Sequence, residues 1–412
     1  MDRREKIAAL ERQGVRIPAP ESIEIGDEVS PGQVRGPGTV LHAGTKLYGA
    51  DLLILPGARI GYEEPATVEN CAVGREVKLN GGYFAGAVFL DRVVIGKGAQ
   101  VRAGTLLEEE ANGAHCVGLK QTILFPFVTL GSLINFCDVL MAGGTSRKDH
   151  SEVGSSFIHF NYTPFGRHGD KATPSIGGDV PRGVMLRSRR IFLGGQAGLV
   201  GPVAIDYGTV LAAGTVYRRD YGPDQLIVGE HLPPRTLPFT PLRYGRVRTK
   251  VQKNLRYIGN LAALWHWYGA VRLRLAAGDA DLATLYRRAQ AAVGEGIEER
   301  IARLGQVAGY MEDSITELER QDGGAKEIAE QRAFAASWPA CERALRGYSA
   351  WAQPSGSESF ARFEAGLERE AGGGGGYLEI IGRLDEETCA AGTAWLTAIV
   401  GAAEAQLFAA GG

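Results

Sequence analysis

The chain has 412 residues, a formal net charge of −2 and a pI near 6.4, with 44% hydrophobic and 22% charged residues. That length predicts two or three domains, and the near-neutral balance excludes a surface built throughout for nucleic acid. No apolar run reaches the roughly 18 residues of a membrane span. Five scattered cysteines (Cys71, Cys116, Cys137, Cys341 and Cys389) lack metal-type spacing, so a reducing cytoplasm is the expected compartment and no metal site is expected.

In chain order, residues 2–13 read as a charged, leader-free helix, and 1–21 as a segment capping the first coil of a repetitive region. From 22 to 220 aliphatic residues recur every six positions. Leu193, Leu199, Ile205 and Leu211 form the clearest series, followed by Ile95, Val101 and Leu107, and by Leu124, Leu130 and Phe136. A period of six fits neither an amphipathic helix nor a strand alternating over five or six residues. It fits a parallel β-helix of hexapeptide repeats, in which each short strand sends one aliphatic side chain inward and three strands close a triangular coil. The 58 glycines, about twice the usual share of ~7%, suit its corners, where a positive φ excludes β-branched residues. Two stretches break the period: a small insertion at 108–118, and an excursion at 143–175 rich in His, Arg, Lys and Asn. Loops that interrupt such a scaffold usually carry binding groups.

Prolines 223, 233, 234, 238 and 241 mark a linker over 221–242. Residues 243–412 read as an appended all-α domain. Within it a stripe from Leu282 to Leu318, spaced by threes and fours, predicts one long amphipathic helix, and 327–351 and 384–408 read as helical as well. Between Arg235 and Arg274 stand nine basic residues and no acidic ones, interleaved with Trp265, His266, Trp267 and Tyr268. Such a segment binds nucleic acid or anionic head groups, lines the mouth of a phosphate site, or pairs with acidic helices of its own chain.

The strings VIGKGAQVRAG, GAHCVGLK, FNY and FLGGQAGLVGPVAIDYGTVLAAGTV occur in the order found in one known family. Over about residues 10–230 the chain resembles the acetyltransferase half of the bifunctional bacterial enzymes that make UDP-N-acetylglucosamine. The resemblance implies a left-handed parallel β-helix, a homotrimer with sites in the grooves between neighbouring copies, and acyl-coenzyme A (acetyl-CoA) as co-substrate. The family's nucleotide loop is missing here, so no uridyltransferase activity is expected.

By the same resemblance Arg102, Lys120, Asn161, Tyr162 and Lys171 fall on sugar-phosphate-binding positions. Guanidinium and ammonium groups suit a phosphate, and amide and phenol groups suit sugar hydroxyls. Gly195 and Ala213 fall on the coenzyme A groove, whereas Glu230 stands in place of an arginine that meets the coenzyme's phosphate, with Arg218 and Arg219 as substitute cations. The family's catalytic histidine aligns with Ser132, the next tyrosine with Asn135, and a later asparagine with Glu152. A serine hydroxyl alone is no general base near pH 7. The excursion offers His150, His159, His168 and Glu152 instead, of which His159 and Glu152 are the favoured bases; His115 is read as structural. Two functions are open: acyl transfer to the amine of a sugar phosphate or nucleotide sugar, or a non-catalytic sugar-nucleotide-binding or regulatory subunit. The helical domain would be the place for a protein partner.

Overall fold

The structure is a computed structural model that describes residues 1–158, 174–229, 233–236, 238–321, 324–351 and 357–406. It is a parallel β-solenoid of about ten turns carrying a C-terminal helical region, mainly β with an added α unit. Three faces recur along the solenoid. The first runs through strands Glu24–Ile25, Lys46–Tyr48, Ala66–Glu69, Gly82–Ala85 and Ala99–Val101 into the first half of Val117–Leu124 and onward to Val216–Tyr217. The second begins at Leu53–Ile54 and reaches Ala204–Ile205. The third is a ten-stranded ladder that starts with Val40–Leu41 and ends with Leu226–Ile227.

Because neighbouring coils pair in register, one inward column of side chains fills each face. On the third face this column is Leu41, Ile60, Leu79, Ile95, Gly113, Leu130, Val153, Leu193, Leu211 and Ile227. The six-residue series of the sequence are drawn from such columns, and their members are buried. Corners take the left-handed conformation. Asn70, Gln121 and Asp138 have φ of 47°, 49° and 57° at one, and Cys116 and Leu133 have 58° and 56° at another. No Val, Ile or Thr holds a positive φ among the described residues, as the Cβ sterics require.

The stretch 108–118 is not an insertion. Asn112–Gly113 pairs with Val94–Ile95 on one side and Thr129–Leu130 on the other, so the coil is complete. The period is masked because Gly113 takes an inward position, where a Cβ would already lie 3.0 Å from Ile95 Cδ1. The excursion at 143–175 is interrupted by regular structure. A hairpin of Gly144–Ser146 and Asp149–His150 is followed by Glu152–Val153 and Ser156–Ile158, which rejoin the third and first faces.

The first coil is closed by α1 (Arg3–Arg12), which starts with an Asp2/Glu5 capping box. Lys6 is buried and donates from Nζ to the carbonyls of Gly26 (2.7 Å) and Asp27 (2.9 Å), satisfying first-coil groups that no preceding coil can reach.

A short α2 (Val180–Gly183) interrupts the solenoid, and eight α-helices come after it among the described residues: α3 (Val247–Trp267), α4 (Leu273–Leu275), α5 (Ala280–Gly309), α6 (Met311–Arg320), α7 (Ala325–Arg346), α8 (Glu358–Ala371), α9 (Tyr377–Arg383) and α10 (Glu386–Ala405). The stripe from Leu282 to Leu318 is divided between α5 and α6, and most of it is core: Leu285, Val293, Ile297, Ile301 and Leu304 are each at most 1% exposed. Much of α3 crosses what reads in the sequence as a basic segment.

The helices lie along the second face. Its outward column is Leu53, Ala72, Val88, Leu106, Ile123, Leu140 and Ile176, all buried, and α5 runs against its strands from Ala72–Val73 to Thr105–Leu107. The corresponding positions on the other faces include Lys46, Gln100, Arg59 and Lys78, which meet solvent. A largely apolar outward column identifies the covered face.

Candidate functional site

Two corners of the first face gather the described candidate side chains. At its far corner the pairs Gln100↔Gly118 and Val101↔Leu119 bring Arg102 beside Lys120, and Lys120 stands opposite Cys137 in the next coil. Coils are ~4.8 Å apart, so two cations share one edge. Both are exposed, and neither has an ion-pair partner among the described residues. The Cys137 thiol behind them is buried at 7% exposure. Burial pushes its pKa up, Asp138 adds to that, and Arg102 and Lys120 oppose it. Asp138 itself turns the corner and accepts from Arg300 of α5 at 3.1 Å. The edge beside the helices is therefore electrically closed, whereas the two outer cations face solvent.

The other corner precedes the first face. One backbone bond repeats there from coil to coil: Cys116 N to Lys97 O at 2.8 Å, Leu133 N to His115 O at 3.1 Å, Gln196 N to Ser155 O at 2.6 Å and Gly214 N to Gly195 O at 3.0 Å. Lys97, His115, Ser132, Ser155, Gly195 and Ala213 consequently occupy equivalent positions on one corner. Ser132 Oγ lies 2.9 Å from His115 Nδ1. Sequence position alone makes His115 look structural; its side chain is exposed and partners the serine at the position where the resemblance implies a histidine. The 17-residue separation, one coil, is the signal that could have paired them.

Gly195 and Ala213 lie on this same corner, two and three coils past Ser132. Gly194 is needed for coil stacking, because a Cβ there would sit 2.4 Å from Ala213 N; at Gly195 the nearest atom would be Ser155 N at 3.8 Å, and at Gly214 nothing lies within 4 Å. Small residues thus leave an open strip of backbone along the corner, which fits an extended pantetheine arm. Arg218 donates from Nη1 to Val216 O at 2.9 Å, close to that strip.

Glu152 and His150 do not join these corners. Glu152 is exposed on the third face, paired through its strand with Thr129 and Phe192, so its carboxylate does not point across the first face of its own chain. His150 sits at the base of the hairpin opposite Gly144. His159, Asn161, Tyr162, His168, Lys171 and Glu230 lie outside the described residues.

The basic segment is largely consumed within the chain. Arg243 pairs with Glu327 at 2.9 Å, Lys253 with Asp220 at 2.7 Å, and Arg274 with Glu364 and Glu368; Lys250 Nζ stands 4.2 Å from the Tyr244 ring centroid. Arg272 is fully buried between Glu108 and Glu109 of the solenoid. Trp267 donates to Tyr377 Oη at 3.0 Å.

Among the described residues, no helix is long and apolar enough to cross a membrane. No protein-family profile matches the chain. The bifunctional protein GlmU of Thermotoga petrophila is 27% identical over 229 residues, 55% of this chain and 45% of that protein. Its namesake from Acidithiobacillus ferrooxidans is 27% identical over 237 residues, 57% of this chain and 46% of that protein. The Pseudomonas fluorescens protein is 31% identical over 146 residues, 34% and 28% of the two chains. The solenoid resembles the acetyltransferase half of these bifunctional proteins. The chain spans less than half the length of the curated relatives it matches.

Proposed function

We propose that the protein transfers an acyl group from acyl-coenzyme A to the amine of a sugar phosphate or nucleotide sugar. The observation that carries this reading is the Arg102–Lys120 edge, two cations in successive coils with no carboxylate paired to either among the described residues. Two such groups lose repulsion and gain charge-assisted hydrogen bonds when a phosphate enters between them. Asn161, Tyr162 and Lys171 would complete the acceptor side, and the strip at Gly195 and Ala213 would take the donor.

Five residue steps along the first face separate His115 from Lys120, about 16 Å at ~3.3 Å per step. An amino sugar phosphate is shorter than that, so one chain cannot hold its phosphate at one corner and present its amine at the other. This separation favours a groove shared between copies, and hence the homotrimer. The exposed Leu133, Phe157 and Val216 (59%, 55% and 39%) give that face apolar surface to bury. His159 and Glu152 are the bases suggested by sequence position; Glu152 serves only if a neighbour's first face meets the third face that carries it. A cytoplasmic setting and UDP-N-acetylglucosamine as the product's destination belong to the same reading.

A second reading is favoured by one observation: Ser132 occupies the position where the resemblance implies the base. On that reading the chain is a sugar-nucleotide-binding or regulatory subunit. Thermal shift against a sugar phosphate and acetyl-coenzyme A separates the two. A ligand at 100 times its Kd adds about 2.7 kcal/mol. Stabilisation by both ligands supports transfer, stabilisation by the sugar phosphate alone supports the binding subunit, and stabilisation by neither contradicts both.

A further inference from the structure

We infer that Ser132 and His115 form a working hydroxyl–imidazole pair, with Ser132 Oγ meeting the acceptor amine and His115 Nδ1 receiving the proton. The inference deepens the acyl-transfer reading and rests on it for the identity of the acceptor. Three observations carry it. Ser132 Oγ and His115 Nδ1 are 2.9 Å apart, within hydrogen-bond reach for proton transfer. His115 is exposed and Ser132 half-exposed, so a ligand can reach the hydroxyl. The pair also stands on the same corner as the open strip at Gly195 and Ala213, where coil stacking does not need the missing side chain. Lys97, one coil before His115, is the cation next in that row, and Glu64, two coils further back, is a carboxylate of the corner, its Oε1 accepting from Gly98 N at 2.6 Å.

In the transfer the amine nitrogen forms its bond to the acyl carbon as the thioester C–S bond breaks. The amine proton passes to Ser132 Oγ while the hydroxyl proton passes to His115 Nδ1, and the leaving thiolate is reprotonated from the imidazolium. A neutral imidazole is required, with Nδ1 accepting and Nε2 carrying the hydrogen. Serine thus regains the partner without which it is no base, and an imidazole one coil away serves the position where the family has its histidine.

The pair can be tested without knowing the acceptor. A fluorophosphonate probe should phosphonylate Ser132, forming Oγ–P as P–F breaks and the proton goes to His115; intact mass and peptide mapping read the product. Labelling should fall at least tenfold in His115→Asn, vanish in Ser132→Ala, persist in Ser132→Thr, and decline on acidification in the wild type but not in His115→Asn. Both side chains are at the surface, so circular dichroism should show unchanged folding. An unlabelled wild type, or equal labelling of His115→Asn, overturns the pair. Transfer of acetyl from acetyl-coenzyme A to glucosamine phosphates is the second arm. There, each single variant should lose about 10² or more and the double variant little beyond that, because the two act as a unit. Activity that survives both variants but is lost in Glu152→Gln overturns the pair and keeps the acyl-transfer reading. Labelled wild type with no transfer to any amino sugar phosphate keeps the pair and removes that reading.

Discussion

At the scale of single residues, the corners decide what each position tolerates. Leu133 holds φ at 56° with 59% of its surface exposed, so packing gives little reason for its identity while backbone geometry gives a strong one. Leu133→Val should cost about 1–2 kcal/mol, read as a lower urea midpoint with unchanged m-value, because a β-branched side chain is strained in the left-handed region. A substitution without effect would mean that this corner relaxes. Glycine at 113 shows the opposite case: it is required by contact with Ile95 rather than by its own φ. Sequence periodicity alone cannot see that, which is why a regular coil there looks like an insertion.

At the scale of elements, most of the solenoid is legible from the period of six, because inward columns demand one aliphatic residue per strand. The covering of the second face is legible too, in the outward run Leu53, Ala72, Val88, Leu106, Ile123 and Leu140, but only once the register is known. Leu106→Ala should destabilise the protein by about 2–4 kcal/mol, since the site is buried beneath α5 and can collapse little. A loss well below 1 kcal/mol in urea titration would show that the helices do not lean on that column. Helix α3 is hard to see in the sequence because its start is rich in Arg and Lys; tertiary pairing with Asp220 and burial of its apolar face settle its structure. The candidate site is legible in part. Arg102 and Lys120 stand together as the resemblance implies, whereas the Ser132–His115 contact depends on a coil register that no linear spacing rule supplies.

At the scale of the whole molecule, solenoid and helices are joined through buried charge. Arg272 is fully buried with its carbon Cζ 3.5 Å from the Tyr377 ring centroid; it pairs with Glu109 and, at 3.0 Å, with Glu108. Two carboxylates facing one guanidinium leave an excess negative charge. Tyr268 donates to Glu108 at 2.6 Å and Tyr286 to Glu109 at 3.3 Å, while Asp91 feels further repulsion from Glu109. Burial pushes the Glu108 pKa up to about 7, against the pull of Arg272 and helped by Glu109. The fold thus favours the protonated acid. That contribution is complete below the ordinary carboxyl value of 4.5 and is lost as pH rises through about 7. Wild type should lose stability relative to Glu108→Gln between about pH 5 and pH 8, measured by paired urea titrations; parallel pH curves for the two proteins would contradict this. Arg272→Met should cost roughly 3–5 kcal/mol because it strands two buried carboxylates.

The most direct measurement of the proposed function is calorimetric binding of a sugar phosphate and its unphosphorylated sugar to wild type and Arg102→Ala. Charge-assisted contacts to phosphate are worth roughly 1.5–3 kcal/mol. The phosphorylated ligand should therefore bind the variant about ten- to a hundredfold more weakly, and the plain sugar should bind both proteins alike. Equal losses for the two ligands, or no loss for either, would contradict a phosphate site on the Arg102–Lys120 edge.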